Sequence, residues 1–183
     1  SNDLHTQAIT MMEKLSGPRL GSNQHFISVL EEEGLLNRDL EFLPEDEELT
    51  DRRHRGEGLT RPELSVLLSY STIRLYQQLL ASNVPEDPYL SAELIRYFPE
   101  ALQERYTDYM HSHRLKREII ATQVTNSLIN RMGASFTLRM HEDTGAETAE
   151  VAKAYSIARA LFNAREFWVK VESLDNKVSA DLQ

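Results

Sequence analysis

The chain has no cysteine, so its histidines, carboxylates and amides are the side chains that could support catalysis or ligand binding. His111 and His113 form the closest histidine pair, and metal binding is the chemistry that such a pair supports. Two residues at i and i+2 do not share a helix face, and the His-x-x-x-His spacing of a zinc helix does not occur. We therefore predict no metal ligand and interpret the pair as partly solvated histidines at a helix junction. A small metalloenzyme built on this pair is the weakest functional hypothesis.

Nucleotide chemistry is also disfavoured. Gly56-Glu57-Gly58 lacks the third glycine of a dinucleotide fingerprint, no strand precedes it, and the phosphate-loop spacing does not occur. The short basic run from His111 to Arg117 lacks the aromatics of a nucleic-acid footprint, so we expect a salt-bridged helix junction there and no nucleic-acid partner. We predict no catalytic and no cofactor-binding residue in this chain.

A polar ladder is the most informative set. Its members recur at i, i+4 steps along one predicted helix: Glu118, Thr122, Asn126 and Asn130. An apolar stripe on the far side makes this helix central and largely buried: Ile120, Val124 and Leu128. Buried amides must be hydrogen-bonded. Two interpretations stay open, an internal network that fixes neighbouring helices, or a face toward another domain or a ligand.

Charge is concentrated in one segment. The net charge is −9, and residues 31–51 hold ten acids and one base, whereas the remainder holds 19 of each. We expect this segment to be a solvated acidic surface, partly neutralised by the basic run 52–55 that follows. The spacing of a calcium loop is missing.

The elements that position these residues are helices. The dominant apolar period is 3.6, and no alternating β-branched run is present, which predicts an all-α fold, an irregular multi-helix bundle of roughly ten helices. The predicted helices span about 3–15, 22–33, 37–42, 45–54, 60–82, 88–98, 99–112, 113–132, 134–144, 148–163 and 165–175. Gly34 is a predicted left-handed cap, and Thr60 to Glu63 resembles a capping box.

Two sections are expected. Residues 1–57 form an N-terminal helical section with the acidic segment, and residues 58–183 form the main helical body. The opening Ser1-Asn2 looks like a cloning remnant on an excised piece. No stretch is long and apolar enough to cross a bilayer, and with no secretory signal or cysteine we expect a cytoplasmic protein without a membrane partner.

Several long segments, in the same order, resemble the C-terminal region of the large bacterial NAD-dependent glutamate dehydrogenases. They are residues 40–44 (LEFLP), 58–64 (GLTRPEL), 84–90 (VPEDPYL), 97–100 (YFPE), 115–122 (LKREIIAT), 125–133 (TNSLINRMG), 142–145 (EDTG) and 174–176 (LDN). The resemblance covers nearly all of the chain from about residue 24 onward. It departs after Gly145, where Glu147-Thr148 stands in place of a small capping residue and proline, which leaves the start of that helix undecided.

The resemblance implies a parent enzyme that oxidises L-glutamate to 2-oxoglutarate and ammonia while reducing NAD, in bacterial glutamate catabolism. The family's catalytic lysine, glutamate-binding residues and dinucleotide fold lie upstream of the matched region, so the resemblance assigns no site residue here. It implies a non-catalytic C-terminal domain, inactive alone, that serves packing against the catalytic domain of the same polypeptide, oligomer assembly or regulation, in a parent that is a homo-oligomer.

The alternative hypothesis is an autonomous helical binding module whose acidic segment meets a basic partner. It predicts salt-sensitive association that is lost when Glu45 to Glu48 are neutralised.

Overall fold

The computed structural model describes residues 2–174, 177 and 178, with side chains from residue 6 onward. The described chain is all-α, as predicted, and contains ten α-helices and no strand. The helices are α1 (Asn2–Lys14), α2 (Leu20–Glu32), α3 (Asp46–His54), α4 (Arg61–Ala81), α5 (Ser91–Tyr97), α6 (Glu100–His111), α7 (Lys116–Met132), α8 (Phe136–Thr144), α9 (Thr148–Leu161) and α10 (Ala164–Glu172). Two single 3₁₀ turns, Val84–Glu86 and Pro88–Leu90, connect α4 to α5.

Helix α4 begins where its capping signal predicted. The Thr60 backbone N–H donates to the Glu63 carboxylate at 2.6 Å, and Pro62 occupies the first turn, where no intrahelical hydrogen bond is lost. The helix then buries a leucine stripe completely, including Leu64, Leu67 and Leu68. Truncating such a leucine to alanine costs about 2–5 kcal/mol, so this stripe is a major source of stability.

Helix α7 is the central element, as its sequence indicated. It packs against α1, α4, α5 and α9, and its stripe of Ile120, Val124 and Leu128 is buried in the core. It begins at Lys116, three residues later than predicted, because the preceding residues form a turn in which the Leu115 N–H donates to His113 Nδ1 at 3.1 Å.

The N-terminal section and the main body share one hydrophobic core. Phe26 and Leu30 from α2 belong to the same buried cluster as Leu68 and Leu128. A Cβ on Gly58 would lie 2.5 Å from the Ser16 carbonyl carbon, so glycine is needed where the two segments touch. The division near residue 57 stays a prediction about domains.

Helix α2 ends in the left-handed glycine cap that was predicted. Gly34 has φ +68°, its N–H donates to the Glu31 carbonyl, and the Leu35 N–H donates to the Leu30 carbonyl. These two bonds form a Schellman motif, which satisfies carbonyls that the helix end leaves free.

The helix predicted over residues 37–42 is wrong, since residues 38–42 form turns. A single helical turn does form, because the Asn37 side chain accepts from the Leu40 N–H at 3.0 Å as a helix cap does and the Glu41 N–H donates to the Asn37 carbonyl oxygen at 3.2 Å. Phe42 then adopts φ +53°, a left-handed conformation that ends any helix.

The start of α9 is settled at Thr148. Glu147 caps the helix, and its N–H donates to the Glu150 carboxylate at 3.0 Å, in a capping box where the glutamate replaces the small residue of the family pattern. The last predicted helix, 165–175, corresponds to α10, and its end at residue 175 lies outside the described residues.

Candidate docking face, polar network and cleft

The predicted polar ladder does not form a hydrogen-bonded set in the described chain. The Thr122 hydroxyl donates to the Glu118 carbonyl oxygen at 2.7 Å, and Glu118 Oε2 is shielded from solvent without a hydrogen-bond partner. Asn126 is exposed, and Asn130 lines a cleft at the end of α7. The role of the ladder as an interface or structural network stays a prediction.

The polar network of α7 is instead centred on Ser127, one residue beyond the predicted position. Arg159 donates to Ser127 Oγ at 2.6 Å, and the Tyr155 hydroxyl donates to the Ser127 carbonyl oxygen at 3.0 Å. Arg159 also pairs with Glu93, so α5, α7 and α9 are joined. Sequence reasoning missed this set because a lone serine carries no signal. Tyr155 and Arg159, at i and i+4 on α9, were the available clue.

Arg131 connects α7 to α10. Its guanidinium lies over the Trp168 ring at 4.0 Å from the centroid, a cation–π contact. Burial lowers the pKa of Arg131, although an arginine stays charged at neutral pH. The described part of α10 has no buried residue, and the helix is attached through this contact and through its packing against α9.

His111 and His113 do not gather a metal site in the described structure. His113 packs edge-on against Phe98, with ring centroids 5.8 Å apart. Among the described side chains, no three or more histidines and carboxylates are placed together to hold a metal ion. The basic run near them is a salt-bridged junction as predicted, since Arg117 pairs with Glu86 and donates to the Leu80 carbonyl oxygen.

The acidic segment is organised by a buried arginine. Arg38 is 7% exposed and donates to Glu31 through Nε and Nη2, to Asp46 at 3.0 Å and to the Pro44 carbonyl oxygen. The hydrogen bond from Arg38, followed by that from Gln24, lowers the pKa of Asp46. The one base inside the segment is therefore the residue around which the segment folds.

Two further arginines pair with acids of this segment. Arg74 of α4 is buried and donates to Glu33 through Nε at 2.7 Å and Nη2 at 2.6 Å. Arg52 bridges Glu48 and Glu63. Burial would raise the pKa of Glu63, but hydrogen bonds from Arg52 and Thr60 outweigh it, and this pKa lies below its usual range. Most acids of the segment are exposed and Arg52 of the basic run pairs with one of them, as predicted, whereas the pairs of Arg38 and Arg74 were not predicted.

Exposed apolar side chains are found where α9 meets α10. Four residues of these helices and their junction expose large fractions of their side chains: Ile157 45%, Leu161 77%, Phe162 78% and Phe167 62%. We call this set the α9–α10 face. Large exposed apolar side chains grouped in one part of a chain are a candidate docking site.

A mixed cleft lies between α1 and the α7–α8 junction. Its volume is about 260 Å³, and its lining combines apolar side chains with three arginines and no carboxylate. The arginines are Arg19, Arg131 and Arg139. Among the described helices, none is long and apolar enough to span a membrane.

Comparison with known proteins identifies the family. Residues 56–183 match the family described as "Glutamate dehydrogenase, C-terminal". Over 182 residues the chain is 48% identical to the NAD-specific glutamate dehydrogenase of Halomonas elongata, and over 183 residues it is 45% identical to that of Pseudomonas aeruginosa. The corresponding enzyme of Mycobacterium tuberculosis is 35% identical over 138 residues.

The first two matches cover all of this chain but only 11% of those relatives, and the third covers 75% of this chain and 8% of that relative. The chain belongs to the glutamate dehydrogenase family and corresponds to the C-terminal region of its NAD-specific members.

Proposed function

We propose that this chain is a non-catalytic helical domain of an NAD-specific glutamate dehydrogenase and that it packs against the rest of that polypeptide through the α9–α10 face. The observation that carries the proposal is the exposure of Leu161 and Phe162, at 77% and 78%, two consecutive residues at the end of α9. The chain spans 11% of the length of its first two relatives, so a large remaining polypeptide is the natural occupant of this face.

The parent reaction in this proposal converts L-glutamate, NAD and water to 2-oxoglutarate, ammonia and NADH. The catalytic residues and the NAD site belong to the remaining polypeptide, and this domain contributes packing, assembly of a homo-oligomer or regulation. The polar groups of the described chain support that division, because Ser127, Arg159 and Glu93 are engaged with one another between helices.

A direct test of inactivity uses the chain alone. We expect no increase in NADH absorbance when it is mixed with glutamate and NAD, and turnover by the pure chain would overturn the proposal.

The docking part is tested by hydrogen–deuterium exchange on the chain and on the intact polypeptide that contains it. We expect amides of residues 157–169 to exchange more slowly in the intact polypeptide, because docking excludes water from this face. Equal exchange rates there would contradict docking.

Matched variants of the intact polypeptide identify the face. Phe162→Ser with Phe167→Ser should remove the protection and shift the oligomer distribution seen by size-exclusion chromatography. The control is Tyr109→Ser on α6, an aromatic residue that is 74% exposed outside the α9–α10 face. If the control has the same effect as the paired variant, the α9–α10 face is not the docking surface.

A further inference from the structure

The cleft between α1 and the α7–α8 junction combines two chemistries. Met11 and Met12 of α1, Leu15 just after it, and Phe136 of α8 provide an apolar lining. The polar part of the lining is cationic, since it contains three guanidinium groups and no carboxylate. A ligand that satisfies both parts has an apolar body and a negative charge.

Arg139 is the member of the cleft that most clearly lacks a partner. Its Nε is shielded from solvent and has no hydrogen-bond acceptor in the described structure. The Arg139 side chain is only half-buried, so its terminal nitrogens are the donors that an oxyanion in the cleft could reach.

Two other arginines of the chain show how that edge is normally used. Arg38 and Arg74 each bind a carboxylate side-on through Nε and Nη2, Arg38 with Glu31 and Arg74 with Glu33. This two-point geometry is the preferred match between guanidinium and carboxylate. Arg139 differs from both, because no carboxylate of the described chain binds its Nε and its terminal nitrogens are the part left for a ligand.

The other two arginines add positive charge to the cleft, and no carboxylate in its lining neutralises that charge. Arg131 is held over Trp168 and donates weakly to the Ser127 carbonyl oxygen at 3.5 Å, so it is fixed in place. Arg19 is exposed at the rim of the cleft. Together they favour an anion over a neutral ligand.

The volume limits the size of the ligand. An apolar cavity of about 150 Å³ accepts benzene. The cleft, at about 260 Å³, therefore has room for a ring-sized apolar body and an anionic group. It lies near the lower end of the size of small-molecule sites, which are typically about 300–1,000 Å³.

We propose that this cleft binds a small amphiphilic carboxylate, with the carboxylate held by the terminal nitrogens of Arg139 and the apolar body against Met12, Leu15 and Phe136. The proposal does not depend on the docking function, because the cleft is formed by α1, α7 and α8 and leaves the α9–α10 face free.

The test is isothermal titration calorimetry of the full 183-residue chain with 3-phenylpropanoate. Two comparison ligands separate the chemistries: 3-phenylpropanamide keeps the apolar body without charge, and inorganic phosphate keeps charge without the apolar body. We expect 3-phenylpropanoate to bind at least tenfold more tightly than either. Undetectable binding, or equal binding of either comparison ligand, overturns the proposal.

Three variants locate the site. Arg139→Met should weaken 3-phenylpropanoate binding by about tenfold to hundredfold, the usual effect of losing a hydrogen bond to a charged group. Arg139→Lys keeps the charge but loses the planar fork, so its affinity should fall between those of the unaltered chain and Arg139→Met. Arg114→Met removes an equal charge from an exposed position before the start of α7 and is the matched control.

Circular dichroism verifies that each variant is folded, and Arg139→Met should fold because no internal partner of Arg139 is lost. Unchanged affinity in folded Arg139→Met, or an equal loss in Arg114→Met, would place the ligand elsewhere and overturn the assignment.

Discussion

The acidic segment, residues 31–51, and the α9–α10 face contrast in how their side chains are satisfied. In the acidic segment, Arg38 and Arg74 are buried at 7% exposure each and hold carboxylates of Glu31, Asp46 and Glu33. On the α9–α10 face, by contrast, Leu161 and Phe162 are more than three-quarters exposed. Arginine pairs engage several acids of the charged region within the chain, although most of its acids stay exposed and Leu40 and Phe42 are also exposed there. The α9–α10 face differs in that it consists of apolar side chains alone.

This difference changes which of the two regions is the better candidate for a partner site. A net charge of −9 concentrated in 21 residues draws attention to the acidic segment as a partner site. Its acids, however, fix the turn after α2 and attach α3 to α4 through Arg52, which bonds to Glu48 and Glu63. The internal pairing leaves fewer acids free for a basic partner than the composition alone suggests.

The largest expected effect comes from Arg38→Met. The substitution removes the donor shared by Glu31, Asp46 and the Pro44 carbonyl oxygen. Breaking a buried pair costs about 3–5 kcal/mol, and the partial exposure of the two carboxylates reduces this to about 2–3 kcal/mol. Urea unfolding of the chain measures the loss.

The matched control for that measurement is Arg55→Met, because Arg55 pairs with Glu57 on the surface, with both side chains more than half exposed. We expect its urea midpoint to be unchanged. If the Arg38 and Arg55 variants unfold at the same midpoint, the acidic segment is a solvated surface after all and the contrast with the α9–α10 face disappears.

Trp168→Ala has the next effect, about 1 kcal/mol, the value typical of a partly desolvated cation–π contact. Because α10 has no buried residue in the described structure, losing the Arg131 contact should release the helix while the rest of the bundle stays folded. Hydrogen exchange should therefore accelerate within 164–172 and stay constant in α4. Acceleration throughout the chain would show that α10 is part of the core and not a loosely attached docking element.

The sequence was informative where local chemistry decides structure. Helix periodicity, the capping box of Thr60 and Glu63, and the glycine cap at Gly34 were all confirmed, because each depends on residues within one or two turns. The buried stripe of α7 was confirmed for the same reason.

The sequence was least informative where partners come from distant segments. Arg74 meets Glu33 across 41 residues, and Arg159 meets Glu93 across 66. Helix periodicity identifies which face is apolar but not which helix approaches it, so the network at Ser127 could not be distinguished from the ladder at Asn126. The exposure of the α9–α10 face could not be predicted either, because phenylalanine is a residue type usually found in the core, whereas Phe162 and Phe167 are exposed.

Lowering the pH should reduce the free energy of unfolding of the chain by less than Arg38→Met or Trp168→Ala does. The pKa of Asp46 lies below 3.8 and that of Glu63 below 4.5 in the folded chain. Each group therefore contributes stability that is fully present above its unfolded pKa and is lost as pH falls through the folded value. We expect the free energy of unfolding to decline from about pH 5 to pH 3, and Asp46→Asn with Glu63→Gln to decline less steeply. Parallel pH profiles would show that these carboxylates are not held by arginine.

The smallest expected effect is on the stability of the chain when the α9–α10 face is made polar. Phe167 is 62% exposed, so Phe167→Asp should change the free energy of unfolding of the isolated chain by less than about 0.5 kcal/mol, as for other surface substitutions. The same substitution should weaken docking in the intact polypeptide strongly, because it places a charge on an apolar contact. Urea unfolding of the chain and size-exclusion chromatography of the polypeptide give the two readouts. A loss above 1 kcal/mol in the isolated chain would mean that Phe167 is part of the core of this domain, and the contrast between an internally paired acidic segment and an uncovered apolar face would then fail.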